Sequence, residues 1–349
     1  MIAPTNGLSI EAILYSNFIK YNKLITLTQQ EFAGSNSCNL NVYIDVNMFS
    51  NILFRDYISI SDENCVAAIV LNYCAHIRAF YKRLGVYTNI ILVYSDESFG
   101  TNKFFVPDYK WLHQKKKECM PEMVKLENFN MQILELMCKY LPDIYFKKGT
   151  VETGVMIGYL MRNDFNNGYP NIVFTKNQYS YQLPCYNECV IFRSKRVKQD
   201  DFSYSLNFSN ALNVYIQEYK NVQIPILVHK SMISTAFCLL GINKVLKKVF
   251  STKKALNIIS NMDPNTYGDI ENMYAQISSI ASSKDMLALP QYEFTNRYKC
   301  IDLNFQIKMY DTMPESKDTS YIINLEDPDK VKYVNNNYFI KNPIDLQRL

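Results

Sequence analysis

From residue 40 onward the chain repeats one arrangement: a short run of β-branched and aromatic residues, then a segment with helical spacing. NVYIDVN (41–47) and NIILVYSDE (89–97) are two such runs, and each carries an acid at its carboxyl-terminal end. Between them lies SDENCVAAIVLNYCAHIRAFYKRLG (61–85), which puts Val66, Ile69, Val70, Tyr73, Cys74, Ile77, Phe80, Tyr81 and Leu84 on one helical face. Ser61 or Asp62 suits the N-cap of that helix and Gly85 its left-handed stop. A helix over 120–140, entered through Pro121, is followed by DIYFKKG as a third strand and TVETGVMIGYLMRND as a helix. NIVFT and ECVIFRS (188–194) complete the set. Strands alternating with helices predict an α/β fold, a mostly parallel sheet covered on both faces. Ligands of such sheets sit beyond the carboxyl ends of the strands. Asp45, Asp96 and the loop after residue 174 all fall on that edge.

Composition narrows the function classes. With 48% hydrophobic and 20% charged residues the chain is globular. Its net charge of +4 is too small for a generally phosphate-binding surface, so any such surface is a local patch. Two stretches qualify. One is YKWLHQKKKE (109–118), with Lys110, Lys115, Lys116 and Lys117 among aromatic residues. The other runs through LLGINKVLKKVFSTKKALNIIS, with Lys247, Lys248, Lys253 and Lys254. A solvated outer face with snorkelling lysines is the plainer account of both. Nine scattered cysteines without a CxxC pair, and three histidines, favour reduced thiols over zinc. No GxGxxG or GxxxxGK[ST] loop, signal peptide or long apolar run is present, so no membrane partner and a cytoplasmic location are expected.

Four motifs, in order, carry a resemblance: YIDVNMFSNILFR, LVYSDESFGTNKFFVPDYKWLHQKKKE, GTVETGVMIGYL and IVFTKNQYSYQL. Together they resemble the 5′-nuclease family, the flap-endonuclease-like enzymes with a PIN-like fold. The resemblance spans roughly residues 40–195. It implies that Asp45, Asp96 and Glu152 are the acids of a metal site and that Pro107, Tyr109 and Lys110 enter a basic arch. LLGINKVLKKVFSTKKAL is similar, more weakly, to the family's helix-hairpin-helix segment. The implied organisation is an N-terminal extension (1–39), the PIN-like domain (40–200), a helical region (201–289) and a mixed, β-rich C-terminal segment or tail (290–349).

The departures bear on chemistry. Where the family has two consecutive Asp after its Glu, this chain has Gly154 and Val155; where it has Asp-x-Asp after the fourth strand, this chain has Asn177 and Tyr179. Two-metal phosphodiester cleavage needs a pair of hard cations held by several carboxylates. Asp45, Asp96 and Glu152 suffice for one ion at most, so no cofactor is expected, with Mg²⁺ or Mn²⁺ required if the chain is active. The reading is a DNA-binding, phage-type relative in which Asp45, Asp96, Glu152 and Lys110 are a remnant catalytic set. Two alternatives stay open: an active, divergent 5′–3′ exonuclease or flap endonuclease, and a virion or assembly protein that meets protein partners through its C-terminal segment. Strand-end caps explain Asp45 and Asp96 equally well, and the helix dipole alone accounts for Glu152.

Overall fold

A computed structural model of the chain describes residues 39–53, 65–83, 85–96, 100–110, 115, 117–175, 177–187, 189–194, 203–207, 213–218, 225–229, 232–242, 245–339, 344, 346 and 349. The expected parallel sheet forms. Strands β1 (Asn39–Asp45), β2 (Tyr87–Ser95), β3 (Ile144–Gly149), β4 (Asn171–Phe174) and β5 (Cys189–Ser194) run parallel, and β6 (Ser203–Asn207) joins antiparallel in the order β3-β2-β1-β4-β5-β6. Strands β7 (Asn213–Glu218) and β8 (Pro225–His229) make a separate two-stranded ribbon.

Both faces of the sheet are buried, which is why its strands read as unbroken apolar runs. Alternation sorts them. Val42, Ile44, Ile90, Leu92, Ile172 and Phe174 pack with helices α1 (Asn47–Leu53), α2 (Cys65–Arg83) and α4 (Pro121–Cys138). Tyr43, Ile91, Val93 and Val173 pack on the opposite face, with helix α5 (Thr153–Arg162) and the later helices. Between α2 and α4 lies the short helix α3 (Gly100–Phe105). Ser61, Asp62 and Leu84 of the expected α2 boundaries, and residues 1–38, lie outside the described residues, whereas Gly85 takes the expected positive φ of 73°. No described helix is long and apolar enough to cross a membrane.

The register of the central strands is pinned at both ends by asparagines. Asn89, Asn41 and Asn171 are in register across β2, β1 and β4. The Asn89 amide donates to Asn41 Oδ1 at 3.1 Å, and the Asn41 amide donates to Asn171 Oδ1 at 3.2 Å and Asn167 Oδ1 at 3.0 Å. At the other end Asn47 donates to the Ser95 carbonyl (2.7 Å) and accepts from the Ser95 amide (2.9 Å), tying the tip of β1 to that of β2. A slip of one residue breaks both sets and turns the apolar side chains to the wrong face.

The later chain departs from the expectation in two places. Residues 290–349 are not β-rich: helices α11 (Gln291–Ile301), α12 (Leu303–Asp311) and α13 (Pro328–Tyr338) dominate them. Phe294, Arg297, Tyr298 and Ile301 are buried at helical spacing, as are Leu303, Gln306, Ile307 and Tyr310. Their β-branched and aromatic content masked that period. The expected helical region contains strands β6, β7 and β8 as well as helices α7 (Ile233–Leu240), α8 (Thr252–Ser260), α9 (Ile270–Ile280) and α10 (Ser283–Met286), while α6 (Leu183–Tyr186) is a single turn before β5. The stretch LLGINKVLKKVF is not one helix. Gly241, at a φ of 71°, ends α7, and a Cβ there would lie 2.5 Å from the Leu246 carbonyl oxygen and 2.7 Å from the Lys248 nitrogen. The backbone turns straight back on the helix, with the Val249 and Phe250 amides donating to the Leu239 carbonyl.

Between α12 and α13 the segment 313–325 straps the sheet's exposed margin at β3. Lys147, buried on that strand, donates to the carbonyls of Glu315 (2.8 Å) and Asp318 (2.7 Å) and lies 4.6 Å from the Tyr321 ring centre. Glu315 accepts from the Thr150 hydroxyl at 3.0 Å, and the Leu325 amide donates to the Lys139 carbonyl at 2.9 Å, so the strap runs antiparallel to β3 along its length. Lys147→Met leaves both carbonyls without their donor and is expected to cost about 1–3 kcal/mol. Hydrogen exchange checks this: amides of 313–325 and β3 should lose protection while those of β1 and β4 keep it.

Candidate functional site

The carboxyl edge of the sheet gathers three segments around one carboxylate. Glu152 is the N-cap of α5, yet its side chain makes no capping bond; it turns inward and is 1% exposed. Tyr109 donates its hydroxyl to Oε1. The Lys110 ammonium lies 2.9 Å from Oε1 and 3.1 Å from Oε2, and the Asn177 amide donates to Oε2 at 2.9 Å. A carboxylate offers about four acceptor positions. Here the protein's own donors take all of them, and one donor is a full positive charge.

Each donor is held by local structure. Lys110 adopts a φ of 51°, and its amide donates to the Val245 carbonyl at 3.1 Å. Burial first, then the negative Glu152, pushes the Tyr109 phenol well above its ordinary pKa, so it stays a donor. Asn177 accepts from the Tyr179 amide at 3.1 Å, capping the 3₁₀ turn Gln178–Gln182 that follows β4.

Asp45, at the tip of β1 and on the same face as Tyr43, is 3% exposed. Thr175 donates to its Oδ2 at 2.7 Å and the Asn47 amide to its Oδ1 at 3.2 Å. Burial raises its pKa from 3.8 to about 6; the Thr175 hydrogen bond and Lys110 oppose the rise, and Glu152 adds to it. Asp96 stands just past β2, half-buried, its amide donating to the Gly149 carbonyl at 3.0 Å.

The positions where family acids were expected are packed. Val155 and Tyr179 are fully buried. A Cβ on Gly154 would meet Ser180 Oγ at 2.8 Å, the Tyr179 ring at 3.2 Å and the Ser180 Cα at 3.3 Å. The turn after β4 therefore fills the space a side chain at 154 would need. Among the described residues no three His, Cys, Asp or Glu side chains are placed to hold a metal ion. A divalent cation does not fit this donor set: Lys110 already neutralises Glu152, and Asp45 is buried among hydrogen-bond donors.

The two basic stretches, far apart in sequence, adjoin. Lys247 Nζ lies 2.7 Å from Asp108, and the Lys110 amide bonds to Val245, so the 106–110 segment lies against the 241–250 loop. Lys248 donates to Thr252 at 2.8 Å, Lys254 pairs with Asp285, and Lys253 and Lys115 are exposed. Lys117 pairs with the buried Glu127 at 2.9 Å. Lys116 and Lys244 lie outside the described residues.

Several participants escaped the sequence reading. Thr175 and Asn47 serve Asp45 and Ser95 through short polar side chains that carry no periodic signal. Gln182 accepts from the Leu303 amide (3.2 Å), and its Oε1 shares the single Ser234 hydroxyl proton with Asp302 Oδ2, each 2.9 Å from the Ser234 oxygen. That network binds the site's turn to α7 and α12, a contact between distant segments.

No family model matches the chain, and no curated protein matches it. Solved structures do. The bacteriophage T5 D15 protein co-crystallised with metal ions superposes with a TM-score of 0.52 at 10% identity, covering 86% of this chain and 98% of that one. A variant of the bacteriophage T5 flap endonuclease, solved as a pseudo-enzyme–product complex with DNA and metal ions, gives 0.52 at 12% identity over 85% and 97%. T5 5′-exonuclease with bound zinc gives 0.53 at 11% identity over 86% and 98%. The chain thus adopts the PIN-like 5′-nuclease fold.

The raised pKa of Asp45 has a definite sign. Below pH 3.8 the carboxyl is protonated in both folded and unfolded chains. Between there and about 6 the unfolded chain ionises first and binds fewer protons, so stability falls as pH rises and the loss is complete above about 6. Asp45→Asn is expected to match the native chain in stability near pH 3.5. By pH 7.5 it should exceed it by up to roughly 3 kcal/mol, the equivalent of the full shift. Denaturant melts across that range, in EDTA, measure the difference.

Proposed function

We propose that this chain is a 5′-nuclease-like DNA-binding protein that engages phosphates without a metal and has lost two-metal cleavage. The observation that carries the reading is Glu152, a carboxylate whose acceptor positions are filled by Tyr109, Lys110 and Asn177. Beside it, Gly154, Val155 and Tyr179 are packed against one another instead of offering ligands. In-line phosphodiester hydrolysis by the family's route requires two cations a few ångströms apart. The engagement of Asp45 and Glu152 by donors of the chain itself supports the loss of that route.

Binding has separate support. The T5 flap endonuclease variant of the same fold was solved with DNA. In this chain Lys247 and Lys248 lie on the loop that meets the 106–110 segment, and Lys253 and Lys115 are exposed. Lys247 is 64% exposed in its pair with Asp108, and exposed pairs are worth about 0–1 kcal/mol, so a phosphate can replace the carboxylate at little cost. Fewer carboxylates at the rim also lessen repulsion of the DNA backbone.

The test is DNA binding in EDTA across a salt series, beside cleavage of a labelled flap in Mg²⁺ or Mn²⁺. Binding should persist without metal and weaken as salt rises. Lys247→Ala and Lys253→Ala should each reduce the slope of log affinity against log salt by about one. No cleavage is expected. Metal-dependent cleavage abolished by Asp45→Ala would overturn the loss of chemistry, and no DNA affinity at low salt would overturn the binding.

A further inference from the structure

The loop from α5 to β4 contains Asn167-Gly168, one of two Asn-Gly pairs in the chain; the other, Asn6-Gly7, lies outside the described residues. In an Asn-Gly pair the asparagine readily reacts with its own backbone, because glycine has no side chain to block its nitrogen from the asparagine Cγ. Here both residues are exposed, Gly168 has a φ of 75°, and a Cβ on it would meet nothing within 4 Å. The Gly168 amide has no hydrogen-bond acceptor among the described residues, so its nitrogen is not held away. The electrophile, in contrast, is held firmly. Asn167 Oδ1 accepts from the Tyr169 backbone amide at 3.1 Å and from the Asn41 side chain at 3.0 Å. The first bond folds the side-chain carbonyl back over the backbone that follows, and the second comes from a fully buried residue. Asn41 is also the centre of the asparagine ladder across β2, β1 and β4.

We propose that Asn167-Gly168 is a self-modifying site, at which the fold promotes conversion of Asn167 to aspartate and isoaspartate. The Gly168 nitrogen loses its proton to a solvent base and attacks Asn167 Cγ, forming the C–N bond of a five-membered succinimide. The carbonyl electron pair moves onto Oδ1, where the two donors stabilise the developing negative charge, as preorganised donors do in acyl transfer. That pair then returns, the bond from Cγ to the side-chain nitrogen breaks, and the nitrogen takes a proton from solvent and leaves as ammonia. Water opens the ring at either carbonyl. Attack at Cγ yields aspartate; attack at the backbone carbon yields isoaspartate, with the main chain rerouted through Cβ. One water is consumed and one ammonia released, with no oxidant or cofactor. The product acts on the sheet. Asn41 and Asn167 bond reciprocally, the Asn167 amide donating to Asn41 Oδ1 at 3.4 Å, and a carboxylate at 167 cannot donate. It sets a negative charge against that oxygen, and isoaspartate adds a backbone atom just ahead of β4. Either product loosens the asparagine pin of the central strands.

The test incubates the full chain at mildly alkaline pH, folded or unfolded in guanidinium, in water enriched in a heavy oxygen isotope. Peptide mapping by mass spectrometry follows both Asn-Gly pairs. Residue 167 should gain one heavy oxygen, give both products, and convert in the folded chain at least as fast as in guanidinium. Tyr169→Pro removes the backbone donor and should slow conversion in the folded chain roughly fivefold, the worth of one ordinary hydrogen bond, with no effect in guanidinium. Asn41→Ala should slow it similarly; where that variant loosens the fold, Tyr169→Pro decides. Ageing should lower hydrogen-exchange protection in β1 and β4 of the native chain. It should leave Asn167→Gln unchanged, since glutamine closes a six-membered ring far more slowly. Conversion in guanidinium but not in the folded chain means that the fold protects the site, and overturns the proposal. Undiminished conversion in folded Tyr169→Pro means ordinary Asn-Gly chemistry without help from the fold, and overturns it equally.

Discussion

A buried carboxylate at the mouth of the sheet sets the arrangement of everything around it. Leaving Glu152 buried without partners would be costly; removing one partner of a buried ion pair typically costs about 3–5 kcal/mol. The chain meets that demand by bringing three separate segments to one point: the β3–α5 junction that bears Glu152, the Tyr109–Lys110 turn, and the Asn177 turn after β4. Each segment is then fixed for a second purpose. Lys110, held at a φ of 51°, carries its segment onto the Val245 loop. Asn177 orders the turn that places Tyr179 and Ser180 against Gly154. The electrostatic requirement of one side chain thereby positions the basic surface and closes the space where further ligands would stand.

The same turn is coupled to the helical half of the molecule. Gln182, at its end, accepts from Leu303, shares the Ser234 proton with Asp302, and donates to the Ile301 carbonyl at 2.9 Å. Asp302 draws in Ser234 and Tyr267 while capping α12 through the Phe305 amide. Ser234 opens α7, and Gly241 closes it seven residues later at the start of the lysine loop. A single short, fully buried helix therefore spans from the polar network beneath the site to the loop that carries Lys247 and Lys248. Both ends of that helix are constrained, one by hydrogen bonds and one by a glycine with no room for a side chain. The basic loop is consequently set by the core and not by its own weak local preferences.

Much of the sheet was legible because burial on both faces leaves a strong signal. NVYID and NIILVYS read as strands, Pro121 stands where a helix begins, and the acids fall at strand tips, all from local chemistry. Legibility failed where local composition and tertiary packing disagree. Residues 291–311 are rich in Tyr, Phe and Ile, which favour strands when read alone, but their buried positions recur every three or four residues. YIINL reads as a strand and is instead part of a strap whose bonds go to Lys147, Lys139 and the Leu141 carbonyl. The site was half legible. Asp45 stands out at a strand end and Glu152 through the resemblance, but their contacts with Thr175, Asn47 and Tyr109 depend on which loops meet, and no spacing within one segment encodes that. The nearness of Lys110 to Lys247 is likewise a property of the fold alone.

These contacts change how the missing acids are understood. Neutral residues at Gly154, Val155, Asn177 and Tyr179 read, in isolation, as vacancies in a metal site. In the folded chain they are the parts of a different arrangement: Asn177 donates to Glu152, Val155 belongs to the core, and Tyr179 fills the volume beside Gly154, its hydroxyl buried without a hydrogen-bond partner among the described residues. Restoring one acid would not rebuild a cation site, because a carboxylate at 154 has no room and one at 177 would face Glu152 where a donor now stands. The lysine beside Glu152 acts in the same direction, since it supplies from within the chain the positive charge that a cation would otherwise bring. What remains at the rim is a balanced ion pair between Lys110 and Glu152, joined through the Lys110 backbone to the loop that carries Lys247 and Lys248.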